Sequence, residues 1–107
     1  MAREYRIELG GKVDRTMALA MLARSPYFHR PAVPYQDGEA WLSIGPNFDF
    51  PHVRVFPRPY GFFVEITSTP SELSKTLNGW LTYLRSLGDC SAIDEDTEEL
   101  VDDLPTL

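Results

Sequence analysis

The sequence predicts an α+β fold: a two-layer sandwich in the order β-α-β-β-β-α, followed by an acidic helical tail. Three observations predict it. The N-terminus alternates polar and apolar residues, three short apolar runs in the middle are divided by turn residues, and a well-bounded amphipathic helix follows them. Short connections favour a mainly antiparallel four-stranded sheet, with both helices on one of its faces.

Residues 4–9 set Tyr5, Ile7 and Leu9 against Glu4, Arg6 and Glu8, the pattern of a half-buried strand, and Gly10-Gly11 ends it. Residues 13–24 read as a helix capped by Asp14, with strong helix formers from Met17 to Ala23. That run is apolar on nearly every side, which predicts deep burial or cover by another chain. Residues 25–39 hold Pro26, Pro31 and Pro34 and read as an irregular connection, with Tyr27, Phe28 and Tyr35 pinning it to the core. Strands are expected at 40–44, 52–56 and 62–67, separated by Gly45-Pro46-Asn47 and by Pro57-Arg58-Pro59-Tyr60-Gly61.

Thr69, Pro70 and Glu72 then form a capping-box sequence with proline at the first helical position. Leu73, Leu77, Trp80, Leu81, Leu84 and Leu87 share one stripe, and Gly88 stands at the C-cap. Beyond it, Ile93, Leu100, Val101 and Leu104 fall on one helical face, with acids in the first turn where the helix dipole favours them. The expected organisation is one domain over 1–88 and an acidic, docked segment over 89–107.

The charge layout is the most unusual feature. The 107-residue chain carries a net charge of −6. Residues 1–88 hold all ten Arg and Lys against eight Asp and Glu, a net +2, whereas residues 89–107 hold eight acids and no base, a net −8. A faintly basic body bearing an acidic segment points to a charged partner or to self-masking. Cys90 is the lone cysteine, the N-terminus alternates charge with apolar residues, and no uncharged apolar run nears the roughly 20 residues of a membrane span. A cytoplasmic protein is therefore expected, with no membrane association.

Strand alternation separates two sheet faces. Tyr5, Ile7, Leu9, Leu42, Ile44, Val53, Val55, Phe62, Val64 and Ile66 form the expected core layer. Trp41, Arg54, Phe56 and Phe63 lie on the other face among Glu4, Arg6, Glu8, Ser43, His52, Glu65 and Thr67. Exposed aromatic patches of this kind mark binding sites unless something covers them. The acidic tail helix is the first candidate cover, its acids near Arg6 and Arg54; a protein partner and single-stranded nucleic acid are the others.

The order helix, three strands, helix over 13–88 is similar to that of double-stranded-RNA-binding domains. The likeness is one of topology: that family's second helix opens on a lysine-rich patch, whereas this one opens Ser71-Glu72-Leu73-Ser74-Lys75, so the function is not implied. His29, His52 and Cys90 match no zinc spacing, and Asp49 with His52 makes at most a pair. Residues 94–105 place Glu99 where a calcium loop needs glycine and Pro105 where it needs glutamate. Neither a metal nor another cofactor is expected. No nucleophile elbow, phosphate-binding glycine loop or His-Glu-x-x-His occurs, and Cys90 beside acids is a poor thiolate. Pro31-Ala-Val-Pro34 matches the proline spacing read by SH3-type grooves, but in a chain with nine prolines it reads first as a stiff loop.

The expected function is therefore non-enzymatic binding to another protein, in the manner of an inhibitor or immunity protein facing a basic partner. Its contact residues would be Asp94, Glu95, Asp96, Glu98, Glu99, Asp102 and Asp103, with Trp41, Arg54, Phe56 and Phe63. The alternative is a nucleic-acid-binding domain whose aromatic and arginine face is masked by the tail. A homodimer through the apolar helix at 13–24 is a third expectation.

Overall fold

The computed structural model describes residues 2–11, 13–29, 40–43 and 51–105. Its elements are β1 (Arg3–Leu9), α1 (Arg15–Leu22), β2 (Phe28–His29), β3 (Ala40–Leu42), β4 (Val53–Arg58), β5 (Gly61–Ile66), α2 (Ser71–Leu87), β6 (Cys90–Asp94) and β7 (Leu100–Val101). The strands form one sheet in the order β2-β3-β4-β5-β1-β6-β7, and every neighbouring pair is antiparallel. The α+β class and antiparallel sheet match the sequence reading, but the four-stranded sheet does not.

Two corrections explain the difference. Phe28–His29, expected to be irregular, pairs with Trp41 and Leu42 as a short edge strand. The acidic segment is not a helix. Cys90–Asp94 adds to the free edge of β1, pairing Tyr5 with Asp94 and Leu9 with Cys90, and then turns back as β7. Pairing with β1 gives the backbone of 90–94 its hydrogen bonds and places Ala92 in the core, which an isolated acidic helix cannot match. Residues 89–105 therefore complete the sheet.

The core layer follows the strand alternation. Tyr5, Ile7, Leu42, Val53, Val55, Phe62, Val64 and Ile66 are all buried, and Leu9 packs against them half-buried. Leu73, Leu77, Trp80, Leu81 and Leu84 of α2 seal this layer from one side, with Trp80 5.0 Å from Phe62 between ring centroids. Leu87, at the end of the stripe, is 45% exposed. Ile44, Pro31 to Pro34, Tyr35, Asp49 and the turn at 45–47 lie outside the described residues.

Helix boundaries carry further corrections. Asp14 caps α1 as expected, its carboxylate accepting from the Thr16 and Met17 amides. Only Ala18 and Leu22 of α1 are buried, so this short helix lies on the surface instead of being enclosed. Thr69 does not stand at the N-cap of α2. It is fully buried and its hydroxyl donates to the Pro105 carbonyl at 2.7 Å, leaving Pro70 at the N-cap without a side-chain bond. Gly88 does end α2, in extended backbone.

Candidate functional site

The β6–β7 hairpin holds Asp94, Glu95, Asp96, Glu98 and Glu99, five of the eight acids in residues 89–107. Asp94 begins its turn: one carboxylate oxygen accepts from the Asp96 and Thr97 amides, and the other from Arg3 at 2.8 Å. Its amide donates to the Glu99 carbonyl, and Glu98 closes the loop with a left-handed φ of 59°. Asp94 is only 4% exposed, so it is a structural carboxylate. The amide of Asp96 is the chief cause of its lowered pKa, aided by the Thr97 amide and Arg3 against the cost of burial.

Because the folded-state pKa lies below the ordinary carboxylate value, the stabilisation it brings is complete above roughly pH 4 and is lost as pH falls through the folded value. The urea midpoint of the protein is expected to fall on acidification below that value, and Asp94→Asn is expected to flatten the decline. An acid slope that this substitution leaves unchanged would show that the proton goes elsewhere.

Arg6 holds the hairpin to β1. Its guanidinium donates to Glu95 at 3.0 Å, to Glu98 at 3.1 Å and to Glu8 at 3.0 Å, and the Glu98 bond is the chief cause of its raised pKa. Glu95 is half-buried in this cluster, whereas Glu98 remains 65% exposed. Of the seven acids anticipated as partner contacts, Asp94 and Glu95 thus serve mainly the fold. Asp96, Glu98, Glu99, Asp102 and Asp103 are exposed around β7. Leu100, in their midst, is 73% exposed.

The chain beyond β7 is fixed from the helix side. Arg85 donates to the Val101 and Asp102 carbonyls, and the Asn78 amide both donates to the Leu104 carbonyl and accepts from its amide. Leu104 is thereby buried in the core beneath α2. The expected packing of Leu100, Val101 and Leu104 on the outer aromatics does not occur, because Leu104 crosses to the other layer.

The outer face of the sheet is organised in cross-strand rows. Trp41, Arg54, Glu65 and Glu4 align in one, and Phe56, Phe63, Arg6, Ile93 and Leu100 in the next. Arg54 pairs with Glu65 on the neighbouring strand, not with the hairpin acids, and its guanidinium lies 5.5 Å from the Phe56 ring centre. Arg58 stands 5.3 Å from Phe56 and 5.9 Å from Phe63. The two phenylalanine rings therefore already carry arginines from this chain, and Glu65 neutralises one of them. This weakens the expected stacking platform for nucleic acid.

Cys90 is half-buried, and burial raises its pKa while Arg85 opposes the shift. Burial, not the anticipated acidic neighbours, is the cause. Among the described residues no group of three His, Cys, Asp or Glu is placed to hold a metal ion, and no helix is long and apolar enough to cross a membrane. Comparison with known proteins finds no matching family, curated relative or solved structure.

Proposed function

We propose that the protein is a non-enzymatic binding domain that engages a basic surface of another protein through the acidic rim around β7. The observation that carries this reading is Leu100, 73% exposed in a strand flanked by Asp96, Glu98, Glu99, Asp102 and Asp103. An apolar contact within a ring of like charge suits a partner whose basic residues surround an apolar recess. The hydrogen bonds from Asn78 and Arg85 fix this edge before any encounter, which lowers the ordering cost of binding.

An inhibitor or immunity-type protein working in the cytoplasm fits this arrangement. Masking a basic nucleic-acid-cleaving site requires fast capture, and complementary charge accelerates association by about tenfold to a thousandfold. The test is partner capture from the native host at low and high salt, using the full chain and a variant with Glu98→Gln, Glu99→Gln, Asp102→Asn and Asp103→Asn. The expected result is a basic partner that binds the full chain, is released by salt, and binds the variant at least ten times more weakly. Capture indifferent to both salt and neutralisation would overturn the proposal.

A further inference from the structure

The two helices form a second surface, unconnected with the acidic rim. Trp80 Nε1 donates to the Ala18 carbonyl at 2.8 Å, and Val13 lies beside Gly88 at the far end of α2, so the helices run in opposite directions. Between them an open groove of about 300 Å³ is lined by Met21, Leu22, Pro26, Gly79, Trp80 and Tyr83, with Arg24 and Thr76 at its sides.

Three features in or beside this groove bear on what could occupy it. Gly79 stands in the middle of α2, where glycine is the poorest helix former after proline, yet a Cβ there would meet no atom within 4 Å. Met17 is 60% exposed and Met21 36%, one turn apart on α1, and methionine is a side chain that adapts to a partner's shape. Among the described residues Arg24, which lines the groove, and Lys75, one turn before Gly79 on α2, have no carboxylate partner, whereas every ion pair there belongs to the sheet and its hairpin.

We infer that this groove docks an amphipathic α-helix of another protein, with an apolar stripe against Met21, Gly79 and Tyr83 and acids facing Arg24 and Lys75. A helix is the occupant that fits. Two antiparallel helices offer ridges to a third, and a glycine at the lip lets its backbone come close. The cations select an acidic helix, and the helix layer of a second copy presents the same cations with only Asp14 and Glu72 to answer them. The inference is independent of the acidic rim.

The test selects a displayed library of helical peptides on the full-length protein. A selected peptide is then titrated while the methionine methyl and tryptophan indole NMR signals are followed. The selected sequences are expected to repeat apolar residues at i, i+3 or i+4, and i+7, with Glu or Asp alongside, and to shift the Met17, Met21 and Trp80 signals. The paired change Arg24→Glu and Lys75→Glu should weaken binding at least tenfold, and Leu100→Asp on the rim should leave it unchanged. Gly79→Ala should raise the Tm; a fall would mean that the fold itself requires the glycine. No enrichment, basic or unpatterned sequences, or unmoved methionine signals would overturn the inference. So would a dimer in sedimentation that Met21→Glu dissociates, because the occupant would then be a second copy.

Discussion

A chain cut after Gly88 is expected to be unfolded. The cut removes β6 and β7, and with them the buried Ala92, Ile93, Asp94 and Leu104. It leaves the whole β6-facing edge of β1 without partners, from Tyr5 to Leu9. Full burial of a side chain such as Ile93 or Leu104 is worth roughly 1.5–3 kcal/mol, and each net backbone hydrogen bond about 1 kcal/mol. Those losses rival the roughly 5–15 kcal/mol that holds a domain together. Circular dichroism and a thermal scan would check this: the full chain should unfold cooperatively and the shortened one show no transition. A cooperative transition in the shortened chain would mean that the hairpin is an appendage. The role of the acids is therefore read from neutralising substitutions, since deletion confounds binding with folding.

The second large effect is expected at Gly61, where β4 turns into β5. Its φ is +147°, and an added Cβ would overlap the Ile7 carbonyl oxygen and stand 3.1 Å from Leu9 Cγ. The first clash is with backbone in the next strand, so no side-chain rotation relieves it. Gly61 lies opposite both Arg58 and Glu8, and any shift there disturbs the pairing of β5 with β4 and β1 together. Gly61→Ala is expected to cost about 3 kcal/mol or more, combining a strained φ with displaced strands. For a domain near this size that lowers Tm by at least about 12 °C. A change of only a degree or two in a thermal scan would show that the β4–β5 turn can move away from Ile7.

Where alternation was strong, the sequence told which side each strand buries. Tyr5, Ile7, Val53, Val55, Phe62, Val64 and Ile66 all face the core because a pleated strand admits only two sides. The stripe on α2 was equally readable, except that Leu87, the last residue of the helix, is half exposed. The hairpin was not readable. Its strands hold few strongly apolar residues, and eight acids mimic the first turn of a helix or a solvated tail. The signal it did contain was Asp94 three residues before Thr97, a turn-forming pair standing between Ile93 and Leu100. For α1, composition suggested enclosure, but a helix of eight residues set between sheet and solvent brings only Ala18 and Leu22 inward. The acidic surface could be located in sequence; that Asp94 and Glu95 would be spent on Arg3 and Arg6 could not, because those pairs depend on β6 lying beside β1.

The rim around β7 also governs how copies of this chain behave toward one another. An open sheet ends in an edge that can template pairing with the same edge of a neighbour, and Leu100 would make such stacking favourable. Five exposed carboxylates beside it turn that approach into repulsion between like charges. Crowded copies therefore stay apart while those carboxylates are ionised. Salt that screens those charges lowers the barrier and leaves the edges free to join, making colloidal stability a property of the hairpin.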